Sequence, residues 1–110
     1  MHASDKGRVY RIDKFAVPED ARNEFLERVN ATHELLRKQP GFVRDFLLEQ
    51  TAIPGEFNLV TFVEWESQSV IEKAKDAVSA LHKQLGFNPQ EMLARLGIRA
   101  ELGNYRHLDA

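Results

Sequence analysis

The sequence predicts an α+β fold in which four antiparallel strands form one sheet and the helices pack on one of its faces. Three observations carry this. Strand-like and helix-like apolar patterns alternate in the order β-α-β-β-α-(α)-β. Pro18, Pro40-Gly41, Pro54-Gly55, Gly86 and Gly97 punctuate those patterns. The two halves also echo each other, with Lys38-Gln39-Pro40-Gly41-Phe42 answered by Lys83-Gln84-Leu85-Gly86-Phe87. A chain of 110 residues has room for one core. We therefore expect one domain over residues 1–110, with residues 1–7 as a flexible tail.

Arg8 to Val17 reads as the first strand, with Val9, Phe15 and Val17 on one parity and Tyr10, Ile12 and Ala16 on the other. Pro18 stops it, because proline brings no N–H to a ladder. Pro18-Glu19-Asp20 opens a helix to about Lys38, the acids lying at the positive end of its dipole. Ala21, Phe25, Val29, Thr32 and Leu36 form its apolar stripe, flanked by Leu26 and His33. Phe42 to Thr51 is the second strand, Ile53-Pro54-Gly55-Glu56 a turn, and Phe57 to Trp65 the third strand. Ser67 is placed to cap a second helix through about Leu85, with Ile71 or Val70, Ala74, Val78, Leu81 and Leu85 as its stripe. Gly86 ends that helix. Pro89 to Leu96 forms a short third helix stopped by Gly97, and Ile98 to His107 is the last strand. A strand-helix-strand pseudo-repeat of this order is the ferredoxin-like split βαβ arrangement.

Composition narrows the function. Hydrophobic residues at 43% and charged residues at 29% suit a globular chain rather than a disordered one. A net charge of -2 offers no footprint for nucleic acid or anionic lipid. With no cysteine, thiolate metal sites, disulfides and cysteine nucleophiles are excluded. The Met1–Arg8 stretch is polar and carries no signal-peptide core, and no apolar run reaches membrane-span length, so a cytoplasmic location is the expectation. No phosphate loop or nucleophile elbow is present, and the histidines are too scattered for a metal signature.

The strands predict an assembly. Helices cover one face of such a sheet, and a face open to water should be polar. Strand three instead carries Val60 and Phe62 on one parity and Leu59, Val63 and Trp65 on the other. Strand two sets Phe42, Phe46 and Leu48 against Val43 and Leu47. Both faces call for burial, and a second copy of the chain is the simplest cover for the open one. A monomer with a partly apolar face is the alternative.

The run Phe15-Ala16-Val17-Pro18-Glu19-Asp20 with Phe25, then Gln39-Pro40-Gly41-Phe42, then Leu59 to Ser67 ending in Trp65-Glu66-Ser67, resembles the antibiotic biosynthesis monooxygenase family. The likeness runs from about Val9 to Tyr105. It implies a dimeric α+β barrel with a cavity between each subunit's sheet and helices. It also implies a cofactor-independent monooxygenase that oxidises a quinol or polyphenol with molecular oxygen, needing neither metal nor flavin. Other relatives bind and degrade haem. Their iron-binding histidine corresponds to His82 in Leu81-His82-Lys83. Their strand-one asparagine falls at Asp13, and their second-helix tryptophan falls at charged Glu72 or Lys73, which makes haem the poorer ligand here.

Cofactor-free oxygenation needs a dry pocket, a base for a phenolic proton and polar groups to hold the anion. Asp13 and Arg11 share the parity of Phe15, and charge on a half-buried strand is costly unless paired. Asp13 can be the base or a polar anchor with Arg11 as partner; equally, the two can pair with each other and with Arg99 or Glu101. His82 flanks the second helix's stripe and is a natural base near neutral pH, or else a half-exposed helix residue. His33 is a pocket wall or a boundary residue. Trp65 lines the cavity or packs in the core or interface, and Phe46 and Phe62 can line a pocket for a flat ring. Glu64 and Glu66 read as rim charges, and Asn58 and Asn104 as possible hydroxyl holders. A non-catalytic module binding a small aromatic ligand or haem, and a structural dimer with a filled cavity, are the competing functions.

Overall fold

The computed structural model describes residues 7–108. Apart from Gly7, the expected N-terminal tail, with His2, lies outside the described residues. Strands β1 (Val9–Ala16), β2 (Phe42–Glu49), β3 (Leu59–Trp65) and β4 (Arg99–Tyr105) form one antiparallel sheet in the order β2-β3-β1-β4. Helices α1 (Arg22–Leu36), α2 (Gln68–Leu85) and α3 (Pro89–Leu96) complete the ferredoxin-like fold. Among the described residues, no helix is long and apolar enough to cross a membrane.

Local chemistry explains the element ends. After Pro18 the chain makes a single 3-10 turn over Glu19–Ala21 before α1 starts, so the helix proper begins later than the acidic residues suggest. Ser67 precedes α2 in extended conformation but its side chain makes no cap bond. Its hydroxyl instead meets that of Ser69 at 3.0 Å. Asn88 does cap α3, accepting from the N–H groups of Gln90 and Glu91 at 3.0 and 3.2 Å, with Pro89 at the first helical position. Leu85, expected in the α2 stripe, is 58% exposed and lies outside the packed layer.

Register divides the sheet into two faces. Arg11, Asp13 and Phe15 on β1 stand beside Val63, Thr61 and Leu59 on β3, and this face meets the helices. Tyr10, Ile12 and Lys14 stand beside Glu64, Phe62 and Val60 on the opposite, open face. One expectation fails at β2. Simple alternation groups Phe42 with Phe46 and Leu48, yet Phe42 pairs with Trp65 and Arg44 with Glu64. The ladder therefore absorbs one extra residue, Val43, and a bulge of this kind switches the face on which a side chain emerges. Phe42 turns inward, its ring edge-on to Trp65 at 5.8 Å, while Phe46 stays on the open face. Just before the bulge, Gly41 has φ of 84°, and a Cβ there would come 2.5 Å from Val70. Both backbone and space demand glycine.

The core is split. One buried cluster holds Phe15, Val17, Ala21, Phe25, Leu59, Met92 and Ile98, and the other Val63, Trp65 and Ala74. Between them on the helix-facing side of β1 and β3 lie Arg11, Asp13 and Thr61, residues that cannot close an apolar core.

Candidate functional site in the cleft between sheet and helices

That interruption opens a cleft of two adjoining lobes, about 280 and 330 Å³ in volume. Arg11, Asp13, Thr32, His33, Thr61 and Val78 line both. Phe15, Phe25, Phe87 and Met92 wall the first lobe, with Arg28 and His82 among its polar residues. Trp65, Val63, Ile71 and Ala74 wall the second, with Glu72, Lys75 and Asn104 beside them. Apolar walls around a few convergent polar groups are the usual make-up of a small-molecule site.

Period-two alternation puts Asp13 and Thr61 opposite each other on the floor. Arg11 Nε donates to Asp13 Oδ1 at 2.6 Å. The two charges therefore pair with each other. Neither Arg99 nor Glu101 joins them, since Arg99 bonds Glu56. Burial raises the Asp13 carboxyl above its ordinary value, and Arg11 and a backbone hydrogen bond from Gly103 offset it only in part.

His33 is more deeply placed than a boundary residue would be. It is 4% exposed, and its Nδ1 lies 2.7 Å from Asp45 Oδ2. Asp45 reaches it from β2, and Arg37 Nε donates to the same carboxylate at 3.1 and 3.2 Å. Burial alone would raise the Asp45 carboxyl, but the bonds and charges of Arg37 and His33 outweigh it and hold it below its ordinary value. His82 sits on the last turns of α2, its ring edge-on to Phe87 at 5.1 Å. Arg28 lies over the other part of this stack, 4.4 Å from the Phe87 ring centre. Burial, helped by the Arg28 charge, lowers the His82 imidazole below its ordinary value.

The cleft thus gathers Arg11, Asp13, His33, His82 and Trp65. Trp65 both lines the second lobe and packs on Phe42. Phe46 and Phe62 do not line the cleft. They lie on the open face, 5.5 Å apart, with Tyr10 5.6 Å from Phe62. Alternation is the reason: both emerge opposite to Thr61 and Val63. Glu64 is likewise no rim charge, being 3% exposed on the open face between Arg8 and Arg44. Asn58 is committed to the backbone of Val17, which it binds at 2.8 and 2.9 Å. Sequence reasoning missed Asp45, Thr61, Arg28 and Phe87 as site residues. Thr61 was discoverable, because it shares the parity of Leu59 and Val63; Asp45 was hidden by the bulge. Among the described residues, no group of three or more potential ligands could hold a metal ion.

Comparison with known proteins agrees with the fold. No curated protein matches the chain. A cofactor-independent oxygenase, SnoaB from Streptomyces nogalater, is 25% identical, with a TM-score of 0.67 over 94% of this chain and 96% of that one. A protein from Shewanella loihica PV-4 shares 20% identity at a TM-score of 0.71, over 94% and 97% of the two chains. A mutant of MhuD, solved with two manganese protoporphyrin IX molecules per active site, shares 24% identity at a TM-score of 0.66 over 93% and 97%. The family model for antibiotic biosynthesis monooxygenase matches residues 8–84, which contain β1 to β3, α1 and nearly all of α2. The chain belongs to the antibiotic biosynthesis monooxygenase family.

Proposed function

We propose that the protein is a cofactor-independent monooxygenase that oxidises a quinol or polyphenol with molecular oxygen in the cleft. One observation carries the reading: three groups able to move a proton, Asp13, His33 and His82, converge on a cavity otherwise walled by Phe, Met and Trp side chains. A flat aromatic ring fits such walls, and a phenolic hydroxyl needs a polar floor. Ionising the phenol makes the ring electron-rich. The anion passes one electron to oxygen, and the superoxide and ring radical combine to form a C–O bond. Loss of water then leaves a quinone. One oxygen atom enters the product, the other leaves as water, and the substrate supplies all four electrons, so no further reductant is required.

A second copy of the chain is the proposed cover for the open face. Tyr10, Ile12, Phe46, Leu48 and Phe62 make that face apolar, and Phe46 and Leu48 remain 47% and 51% exposed. A non-catalytic holder of an aromatic ligand is the alternative use of the same cleft. Haem suits it less well, because Glu72 and Lys75 line the second lobe where a porphyrin face needs apolar contact.

The test is oxygen uptake by chelator-treated protein with a panel of quinols and polyphenols. Uptake that survives chelation and falls roughly 100- to 10,000-fold when the proton-accepting residue is replaced is the expected result. Binding of a polyphenol without any uptake would instead assign the cleft to ligand storage.

A further inference from the structure

We propose that His33, rather than Asp13 or His82, takes the phenolic proton, with Asp45 as the residue that positions it. This rests on the oxygenase reading, because only that chemistry requires a hydroxyl to be ionised in the cleft. The argument starts from Asp45. Its carboxylate is gripped by Arg37 through Nε and also through Nη2 at 2.9 Å. A carboxylate so held only accepts hydrogen bonds, so the 2.7 Å contact with His33 requires the hydrogen to sit on Nδ1. In the neutral ring the lone pair then belongs to Nε2. That nitrogen makes no hydrogen bond among the described residues. Nor do those residues include any buried side-chain nitrogen or oxygen without a partner. Nε2 is therefore not sealed in protein, and the space His33 borders is the junction of the two lobes.

This is the arrangement by which a carboxylate fixes the tautomer of an imidazole base and stabilises the imidazolium that forms. The rivals lack this arrangement. Asp13 Oδ1 already accepts from Arg11 at 2.6 Å, and the His82 ring packs edge-on against Phe87 with no carboxylate bonded to it among the described residues. Charges face His33 from each neighbouring element. Arg11 and Asp13 come from β1, Asp45 from β2, Arg28 from its own helix and Arg37 from just past that helix's end, and Glu72, Lys75 and His82 from α2. In the step itself the phenolic O–H bond breaks, the proton passes to Nε2, and the electron pair stays on the oxygen. Asp45 balances the new imidazolium.

The proton transfer is readable without turnover by titrating the protein with 4-nitrophenol, which is colourless as the phenol and yellow as the phenolate. In buffer acidic enough to keep the free probe colourless, the wild-type protein should bind it yellow. His33→Gln should lower the bound phenolate fraction by about tenfold or more, the low end of what a positioned base contributes. Asp45→Asn should cause a smaller loss and move the pH at which the bound probe ionises. Asp13→Asn and His82→Gln alter the same cleft without removing the base, and each should lower the bound phenolate fraction less than His33→Gln does. Nitrogen-15 NMR of the wild-type protein needs no variant to fold, and should find the hydrogen on Nδ1 and none on Nε2. Persistent colour in His33→Gln, a colourless probe in the wild type, or a hydrogen on Nε2 in the resting protein would each overturn the assignment. Colour in the wild type with no oxygen uptake from any phenol would leave the base in place and remove the oxygenase reading.

Discussion

Asp13 and Glu64 are carboxylates on the two central strands of one sheet, Asp13 on the helix-covered face of β1 and Glu64 on the open face of β3. Their surroundings drive them in opposite directions. Asp13 has one guanidinium, that of Arg11, and burial wins, so its carboxyl rises. Glu64 has two, Arg8 at 2.5 Å and Arg44 at 2.6 Å, and together they overcome burial and hold its carboxyl below the ordinary range. Two cationic partners outweigh burial at Glu64, and one does not at Asp13. The consequence differs by face. A doubly paired carboxylate is inert and structural. A singly paired one beside a cavity, with a raised affinity for a proton, is the kind of group that sites of proton chemistry contain.

The largest expected effect separates the faces by packing. Phe25 is 2% exposed, with its ring 4.8 Å from that of Phe15. Phe25→Ala should cost about 3–5 kcal/mol in denaturant unfolding, the usual range for a buried phenylalanine. Phe46→Ala, on the open face, should cost less than about 1 kcal/mol in dilute protein, in line with other exposed positions. If a second copy covers that face, the wild-type unfolding midpoint will rise with protein concentration, and Phe46→Ala will weaken that dependence. A wild-type midpoint independent of concentration would break the proposed assembly and leave the helix-side core untouched.

How far the sequence was legible follows from the same two faces. Element order, the Gly86 and Gly97 stops and the Pro89 start are local properties, set by backbone chemistry within a few residues, and they are where the pattern places them. The parity that separates Asp13 from Ile12 and Thr61 from Phe62 was equally readable, and it already argued against Phe62 as a pocket wall. What the pattern does not hold is the position of the β2 bulge. One unpaired residue, Val43, reassigns Phe42 to the inner face. His33 illustrates the rest. Its place beside the α1 stripe is visible in the periodicity, but its role depends on Asp45 lying across from it on β2, a long-range contact that no helical spacing encodes. Glu64 was misread for the mirror-image reason, since two arginines distant in sequence, Arg8 and Arg44, make its burial tolerable.

A smaller effect tests the inert carboxylate. Glu64→Gln leaves Arg8 and Arg44 without their charged acceptor and should lower stability by about 1–3 kcal/mol at neutral pH, the scale of hydrogen bonds to charged groups. The glutamate's folded pKa lies below its ordinary 4.5, so its contribution is present above 4.5 and is lost as pH falls through the folded value. Unfolding measured across the acid range should therefore show the wild-type advantage shrinking below that point. An advantage that persists undiminished in acid would mean that shape rather than charge makes the glutamate valuable.

The smallest effect, and the one of opposite sign, belongs to Asp13. Its folded pKa lies above its ordinary 3.8, so the folded state holds the proton more tightly than the unfolded one. The resulting stability is complete below 3.8 and is lost as pH rises through the folded value. An ionised carboxylate at this position is penalised by burial and only partly supported by Arg11. Asp13→Asn, which keeps the shape and removes the charge, should melt at the same temperature as the wild type or slightly above it at neutral pH. Any such gain should vanish in acid, where both chains are neutral at this position. A lower melting temperature at neutral pH would show that the 2.6 Å bond to Arg11 outweighs burial and would make Asp13 a structural twin of Glu64. The expected result points the other way. A carboxylate that the fold keeps at no benefit to its own stability, on the floor of a cavity shared by two histidines, fits a residue retained for work in the cleft.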